Sequence, residues 1–321
     1  MRILVTGGAG FIGSHLCERL INDGYSVTVI DNFSTGRASN LANLKSVDKF
    51  TLVEGSILDS SILNPLIHDA DYVFHLAAAV GVFNIVKNSL NSLLTNIRGT
   101  ENVLETAHST KTPVFLTSSS EVYGKNISDS LKESDDRILG SPVTLRWSYS
   151  EAKAIDESLA YAYFVEKQLE TRIVRLFNTV GPRQLGAYGM VVPRFVTAAL
   201  ANEPITIYGD GNQTRCFAHV YDVVDAVIAI AFANNTIGKV INIGNNYEIS
   251  INNLAKMITE EIGSRSKIVY IPYEEAYGDG FEDMERRVPN IELINQLVGW
   301  GPKRNLSTMI ADISAEMNKG S

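Results

Sequence analysis

Residues 6–13 read Thr6-Gly7-Gly8-Ala9-Gly10-Phe11-Ile12-Gly13 and follow an apolar run, Ile3–Thr6. Gly7, Gly10 and Gly13 keep a Gly-x-x-Gly-x-x-Gly spacing at the start of a helical pattern. The first glycine permits a tight turn, the second lets backbone N–H groups approach a pyrophosphate, and the third lets helix and strand pack closely. A strand, a glycine-rich turn and a helix in this order predict a dinucleotide-binding unit of Rossmann type.

Asp31 supports this interpretation because it ends the second predicted strand, Ser26–Ile30, 18 residues after Gly13. A carboxylate at that place can accept hydrogen bonds from the hydroxyls of a ribose. Its negative charge opposes the 2′-phosphate of NADP, so we expect NAD as the cofactor. Arg37 follows closely in sequence and leaves NADP as an alternative.

Apolar runs alternate with helical patterns through the first half of the chain, which predicts an α/β fold with a doubly wound parallel sheet. After Phe177 glycine, proline and aromatic residues become frequent, as expected for a smaller, loop-rich substrate-binding lobe. We predict an NAD-binding Rossmann domain from residues 1–177 plus about 218–245, and a substrate-binding domain from about 178–217 and 246–321. The predicted strands are Ile3–Thr6, Ser26–Ile30, Tyr72–Leu76, Val114–Thr117, Thr171–Leu176 and Val240–Ile243. The predicted helices are Ile12–Asp23, Leu94–Ser109, Trp147–Glu166 and Val220–Ala233.

The bulk composition argues against several classes of partner. A net charge of −8 and a pI near 5.2 oppose nucleic acid and anionic membranes. Two cysteines, Cys17 and Cys216, have no neighbouring cysteine, so we expect no zinc ribbon and no disulfide framework. No apolar run of about 18 residues predicts a membrane span. The first strand begins at once, so we expect no signal peptide and a cytoplasmic protein.

Tyr149 and Lys153 lie four residues apart in the predicted helix Trp147–Glu166 and so share one of its faces. A lysine ammonium beside a phenol stabilises the phenolate and lowers its pKa from about 10. The pair therefore predicts a tyrosine base that removes a hydroxyl proton while a hydride leaves to nicotinamide. An exposed pair on an amphipathic helix would show the same spacing.

The four hydroxyl residues Thr117-Ser118-Ser119-Ser120 come at the end of the predicted strand Val114–Thr117. Ligands of doubly wound sheets bind at the carboxyl ends of the strands. Serines in this position also form turns. Beside a dinucleotide site, the hydroxyl cluster favours a polar active centre.

Together the glycine turn, Ser119, Tyr149 and Lys153 resemble the extended short-chain dehydrogenase/reductases. Within them, the sequence is similar to the sugar-nucleotide epimerase, dehydratase and decarboxylase group over nearly the whole chain. Further matching segments are His75-Leu76-Ala77-Ala78, Glu121-Val122-Tyr123-Gly124, Arg175-Leu176-Phe177-Asn178, Gly181-Pro182-Arg183 and Tyr208-Gly209-Asp210-Gly211.

The resemblance implies a role for each matching residue and a UDP-sugar as the substrate. Asn178 and Arg215 would hold its diphosphate side, and Tyr208 would lie near the uracil. One departure is Ser56, where the family usually has an aspartate next to the adenine, which implies a lower affinity for the cofactor. The implied cofactor-binding residues are Gly7, Gly10, Phe11, Ile12, Gly13, Asp31, Asn32, Ile57, Leu76, Ala77, Ala78, Tyr149 and Lys153. The implied catalytic residues are Ser119, Ser120, Glu121, Tyr149, Lys153 and Arg287. The implied substrate-binding residues are Asn178, Val192, Thr206, Tyr208, Arg215 and Arg287, and no metal is implied.

Three reactions of this group begin with oxidation at C4 of the sugar. Dehydratases usually carry Asp-Glu where this chain has Ser120-Glu121, so dehydration is disfavoured. Ser-Glu is similar to UDP-glucuronate decarboxylases, in which a C4 ketone makes the substrate a β-keto acid. The segment Tyr277–Asp283, with Arg286-Arg287-Val288-Pro289 and Arg146-Trp147-Ser148-Tyr149, is also similar to decarboxylases and to UDP-apiose/xylose synthases.

One segment is similar to a different subgroup of the family, the epimerases. Ala79-Val80-Gly81-Val82-Phe83 looks more like epimerases acting on UDP-hexoses or UDP-uronates. A UDP-glucuronate decarboxylase is therefore the favoured interpretation, with a UDP-hexose or UDP-uronate 4-epimerase as the alternative. A redox-sensing Rossmann regulator is a third hypothesis, and it would predict a damaged Tyr149 or Lys153, whereas both are intact.

Ile155, Leu159 and Ala162 form an apolar stripe on the helix of Tyr149. Such a stripe ordinarily faces a core. In the resembling family two helices of each subunit pair across a four-helix bundle, so the resemblance implies a homodimer.

Overall fold

The computed structural model describes residues 1–80, 88–186, 190–272, 275, 284 and 286–319. In chain order, the described strands are β1 Arg2–Thr6, β2 Ser26–Asp31, β3 Phe50–Glu54, β4 Tyr72–His75, β5 Val114–Ser119, β6 Thr171–Leu176, β7 Thr179–Val180, β8 Ile205–Tyr208, β9 Thr214–Cys216, β10 Ala218–His219, β11 Val240–Ile243, β12 Glu248–Ser250 and β13 Ile268–Ile271. The described α-helices are α1 Phe11–Asn22, α2 Ser60–His68, α3 Ser89–Thr110, α4 Ser148–Lys167, α5 Val191–Leu200, α6 Val220–Ala231, α7 Ile251–Ile262, α8 Glu292–Val298 and α9 Leu306–Lys319.

A parallel sheet of seven strands in the order β11-β6-β5-β4-β1-β2-β3 forms the centre of the fold. The chain leaves β1 in one direction for β2 and β3, and returns to the other side of β1 for β4. The switch point between β1 and β4 is where open α/β sheets bind their ligands. The predicted α/β doubly wound fold is confirmed.

The strands are apolar because helices cover both faces of the sheet. Ile3 and Val5 pack into the core that includes α1 and α6, whereas Leu4 packs into the core of α2, α3 and α4. All three side chains are buried, as the alternation of side chains along a strand requires.

The predicted elements are found with shifted ends, and one strand of the central sheet was missed. The missed strand is β3, an edge strand whose residues are exposed or only partly buried, so it lacks a continuous apolar run. Strand β5 extends two residues further than predicted, to Ser119, and α3 begins at Ser89 rather than Leu94.

A second lobe is built from α5, α7 and α9, whose apolar faces form a separate core. Two small sheets join it, with β13 parallel to β8 and β12 antiparallel to β9. Ile294 of α8 and Trp300 pack instead into the core of the large sheet. The division into domains stays a prediction, and this packing places part of the segment 246–321 against the first domain.

Within the described ranges, no helix has the length and apolar character needed to cross a membrane.

The apolar stripe on α4 is divided between surface and core, because Ile155 and Ala162 are exposed whereas Leu159 packs against the core of α2, α3 and α4. Ile155 is 42% exposed, and Tyr161 and Val165 on the same helix are 51% and 57% exposed. Helix α3 packs beside α4 and exposes Leu90 at 69%. An apolar surface of this kind fits the implied homodimer.

We predict that Ile155→Glu weakens self-association. A carboxylate in place of an isoleucine that the dimer would bury removes apolar burial and adds a charge to be desolvated, so the dimer dissociation constant should rise about tenfold or more. Light scattering over a concentration series measures the change. Ile127→Glu is the control because Ile127 is 95% exposed elsewhere on the molecule. A wild-type protein that is monomeric throughout the series would contradict the prediction.

Candidate active site

The glycine turn holds the N-terminus of α1 against the sheet at the switch point. Gly7 has a φ of +72°, and a Cβ there would lie 2.7 Å from the backbone nitrogen of Ala77. A Cβ on Gly13 would lie 2.3 Å from the carbonyl oxygen of Gly7. The turn therefore tolerates no side chain at either position. It leaves the amide groups at the start of α1, after Gly10, open to an anion.

Asp31 lies beside this turn at the end of β2. Its Oδ2 accepts a hydrogen bond from the Ala9 amide at 2.9 Å, and its Oδ1 accepts one from the Phe33 amide at 2.8 Å. Burial raises the pKa of the carboxyl, and these two amides oppose that effect. Each oxygen keeps a lone pair that can accept from a ribose hydroxyl. The turn and the carboxylate together fit the pyrophosphate and ribose of NAD.

The other implied cofactor residues are divided between the cavity and the core. Phe11, Ile12, Leu76 and Ala78 line a cavity of about 490 Å³ beside the turn. Ile57 is buried against α3, where it packs on Gly99 and lines no part of that cavity. We attribute this to its place at the end of the β3 segment, where the apolar side chain enters the core. Gly10, Asp31, Asn32 and Ala77 also lie outside the lining, although the Ala77 amide donates to Thr6 Oγ1 at 3.1 Å beside it.

The predicted base lies on the far wall of the same cavity. Tyr149, in the first turn of α4, is half-buried and interacts with the hydroxyl of Ser119 at the end of β5. Lys153, Ser119 and Ser120 line the cavity with it. The structure thus brings together the hydroxyl cluster and the tyrosine–lysine pair.

Two carboxylates act on the pKa of the phenol. Burial raises the pKa of Tyr149, and the carboxylates of Glu121 and Asp156 raise it further. Lys153 Nζ donates instead to the Thr117 carbonyl at 3.0 Å and to Asp156 Oδ2 at 3.2 Å. The effect of Lys153 on the phenol stays a prediction, and in the described structure its ammonium is bound to the carboxylate of Asp156.

Glu121 lies between two arginines at one end of the cavity. Arg146 Nη1 donates to its Oε2 at 2.7 Å, and Arg287 Nη1 donates to its Oε1. Burial alone would raise the pKa of Glu121, but Arg287 and Arg146 together lower it to about 2. The three side chains thus form a cluster, named here the arginine clamp, with a formal charge of +1 at neutral pH. The two guanidinium groups outweigh the charge of Glu121, so the cluster as a whole does not repel a substrate carboxylate.

Arg287 points inward, whereas its neighbour Arg286 points away. Arg287 is 7% exposed, lines the cavity and donates from Nη2 to Asn178 Oδ1 at 2.9 Å. Its buried Nε has no hydrogen-bond partner within the described part of the chain. Arg286 does not line the cavity, and it binds Glu248 through Nε at 2.8 Å and Nη2 at 2.9 Å.

The second lobe closes the other end of the cavity. Val192, Tyr208 and Arg215 line it as the resemblance implies. Asn178 also lines it, but its amide binds the protein, since Nδ2 donates to the Cys216 carbonyl at 3.0 Å. The carbonyl of Thr206, which lies outside the lining, accepts from Arg194 Nη2 at 2.9 Å.

Two contributors were not predicted as site residues. Arg146 appears in the sequence only as part of a matching motif, three residues before Tyr149, yet it is 7% exposed and holds Glu121. Arg194 places its guanidinium 4.2 Å from the centre of the Tyr208 ring and lines the cavity. A basic residue one helical turn or less from a predicted site residue is the only sequence signal for either.

The described residues hold no group of three or more His, Cys, Asp or Glu placed to bind a metal.

Several proteins of known identity are similar to this chain. The sequence model of the NAD dependent epimerase/dehydratase family matches residues 3–244. The UDP-N-acetyl-alpha-D-glucosaminuronate decarboxylase of Bacillus cytotoxicus is 41% identical over 302 residues, covering 94% of this chain and 92% of that protein. The UDP-glucuronic acid decarboxylase 1 of Xenopus tropicalis is 36% identical, over 94% of this chain and 68% of that protein. The crystal structure of the UDP-glucuronic acid 4-epimerase of Bacillus cereus, in complex with UDP-glucuronic acid and NAD, superposes with a TM-score of 0.90 at 30% identity and covers both chains fully.

We predict that Gly13→Ala weakens NAD binding about tenfold or more. The added methyl would overlap the Gly7 carbonyl, and relieving such overpacking displaces the turn that faces the pyrophosphate. Calorimetric titration with NAD measures the change. Gly301→Ala is the matched control, because nothing lies within 4 Å of a Cβ at that position. Equal affinities in the two variants would contradict the role of the turn.

Proposed function

The chain belongs to the NAD-dependent epimerase/dehydratase family, and from this premise we propose that it decarboxylates a UDP-linked uronic acid through a 4-keto intermediate. The observation that carries the proposal is the arginine clamp of Arg146, Glu121 and Arg287, in the same cavity as Tyr149. A protein with a net charge of −8 there presents a local positive charge, which suits a sugar that bears a carboxylate.

Tyr149 acts as the base in this proposal. Its phenolic oxygen takes the proton of the C4 hydroxyl, and the Ser119 hydroxyl beside it binds the same substrate oxygen. When bound, NAD supplies the hydride acceptor and a positive charge beside the phenol. Such a charge would offset Glu121 and Asp156, the two carboxylates that hold the pKa of Tyr149 up.

The ketone at C4 makes the C5 carboxylate that of a β-keto acid. The C5–C6 bond then breaks, its electron pair passes to the C4 oxygen as an enolate, and C6 leaves as carbon dioxide. The protonated Tyr149 and the Ser119 hydroxyl would donate hydrogen bonds to that enolate oxygen. Protonation at C5 completes a pentose, whose ketone is then reduced or released.

The arginine clamp would attract the substrate carboxylate with only moderate strength. Glu121 takes one N–H of each guanidinium, so the clamp attracts an anion less strongly than two free arginines would. A moderate attraction favours binding while limiting the stabilisation of the ground state, in which the carboxylate is still charged. With a pKa of about 2, Glu121 remains ionised at neutral pH and does not serve as a proton donor.

The remaining parts of the cavity suit a nucleotide. In the proposed division, residues 1–177 with about 218–245 bind NAD, and the second lobe binds the UDP moiety. Arg215 would face the diphosphate, and Tyr208, with Arg194 stacked on it, would face the uracil.

A 4-epimerase acting on a UDP-uronate is the second candidate. The structural similarity to the Bacillus cereus 4-epimerase over the full length of both chains favours it. The arginine clamp also suits a uronate that keeps its carboxylate. Ala79 and Val80 of the epimerase-like segment are described, whereas Gly81-Val82-Phe83 lie outside the described residues, as do Tyr277–Asp283 of the decarboxylase-like segment.

We predict that the purified protein with NAD releases carbon dioxide from a UDP-uronate. UDP-glucuronate and UDP-N-acetylglucosaminuronate are both offered, because the two relatives are named for these two sugars. Carbon dioxide and the NMR spectrum of the product are measured. Tyr149→Phe should lower the rate about a hundredfold or more, as expected when an acid–base group is removed. Interconversion of C4 epimers without carbon dioxide would replace this proposal by the epimerase.

Arg287→Ala is predicted to lower kcat/KM for the uronate about a hundredfold. It removes a guanidinium that would contact the carboxylate and leaves Glu121 with one cation fewer. Arg286→Ala is the matched control, since the adjacent arginine binds Glu248 outside the cavity and its loss should leave kcat/KM nearly unchanged. Similar effects of the two substitutions would remove the arginine clamp from the proposal.

A further inference from the structure

Asp156 is a buried carboxylate that pairs with the predicted catalytic lysine. It lies on α4 three residues after Lys153, and its side chain is fully buried. Its Oδ2 accepts from Lys153 Nζ at 3.2 Å, and the hydroxyl of Thr100 on α3 is the other side-chain group that interacts with the carboxylate. Burial raises the pKa of Asp156, and the Lys153 ammonium opposes that effect. A carboxylate placed in this way depends on its cation to stay charged.

Lys153 depends on Asp156 in turn. The lysine is 2% exposed, and a buried ammonium without a counter-charge loses its proton readily. Its other contact, the Thr117 carbonyl, is neutral. Asp156 is the ion-pair partner that the described residues give to Lys153.

The other titratable groups near Lys153 cannot replace Asp156 as the counter-charge of its ammonium. His75 on β4 stays neutral, because burial and the nearby Lys153 lower its pKa to about 3. Glu157, on the same helix, is bound by Arg175 through both oxygens at 2.9 Å.

Two further groups lie towards the cavity. Glu121 is held by Arg146 and Arg287. The phenol of Tyr149 is neutral while its pKa is held up by burial, Glu121 and Asp156. Among the groups described around Lys153, Asp156 is thus the carboxylate that no arginine binds.

We propose that Asp156 is a positioning residue that keeps Lys153 protonated at the Thr117 carbonyl and thereby sets the upper pH limit at which the site works. The proposal rests on the proposed role of Tyr149 as the base and on the predicted role of the Lys153 ammonium in stabilising its phenolate. Asp156 does not line the cavity and acts only through the lysine. Without its carboxylate, the buried ammonium should lose its proton at a lower pH.

The direct test measures the titration of Lys153 itself. Trace labelling with acetic anhydride across a pH series, followed by peptide mass spectrometry, gives the labelling midpoint of this lysine without any substrate. In Asp156→Asn the midpoint should fall by about one pH unit or more, and Asp156→Glu should restore much of it. An unchanged midpoint in folded Asp156→Asn protein would overturn the proposal.

Asp222→Asn is the matched control. Asp222 is also a buried aspartate, and it pairs with Arg304 away from the cavity. Its removal should leave the Lys153 midpoint where it is in the wild type, whereas an equal fall in this variant would overturn the proposal.

A parallel measurement follows kcat/KM against pH. The alkaline limb of the profile should move to lower pH in Asp156→Asn by the same amount as the labelling midpoint. A purely structural Asp156 would lower the melting temperature and leave both curves in place. The labelling result stands if the proposed reaction fails, so the two failures are distinguishable.

A double variant covers the case in which Asp156→Asn does not fold. Lys153→Met combined with Asp156→Asn removes both charges and should recover a folded protein with a cooperative melting transition, because no ammonium is left buried alone. A double variant that is as unstable as Asp156→Asn would overturn the proposal.

Discussion

The position of the site depends on one buried ion pair, between Glu157 on α4 and Arg175 on β6. Arg175 donates to both carboxylate oxygens at 2.9 Å, and the Ser118 hydroxyl at the end of β5 donates to one of them at 2.6 Å. This carboxylate therefore ties the helix of Tyr149 to two central strands of the sheet. Breaking a buried pair of this kind by removing one partner costs about 3–5 kcal/mol, since the other charge is left unpaired. If α4 shifted against these strands, the phenol of Tyr149 would move away from the glycine turn.

The charges around Tyr149 show the same pattern, because three carboxylates near it are each paired with one or more cations. Glu157 is bound by Arg175, Asp156 by Lys153, and Glu121 by the other two members of the arginine clamp. The first two pairs are neutral, whereas the clamp keeps a surplus positive charge. This explains how an acidic protein can receive an anionic sugar at one place and hold neutral ion pairs elsewhere.

Much of the fold could be predicted from local spacing. The glycine turn, the buried strands and the four-residue separation of Tyr149 and Lys153 depend on backbone geometry that a short segment determines. Contacts made by neighbouring segments could not be predicted in this way. Whether Arg286 or Arg287 faces the cavity depends on an irregular segment, and the burial of the Lys153–Asp156 pair depends on how α4 is rotated against β5. Ile57 was expected at the cofactor but is buried, because its contact with α3 joins segments far apart in sequence.

The arginine clamp is proposed as a carboxylate site at the reacting end of the cavity. Calorimetry on the NAD-loaded Tyr149→Phe protein, whose turnover should be lower by about a hundredfold or more, compares the binding of UDP-glucuronate and UDP-glucose. The uronate should bind about tenfold or more tightly, the difference expected when a charged group gains hydrogen bonds from a guanidinium. This preference should disappear when Arg287→Ala is added. Equal affinity for the two nucleotides, or a preference that survives the loss of Arg287, would show that the clamp does not bind the carboxylate.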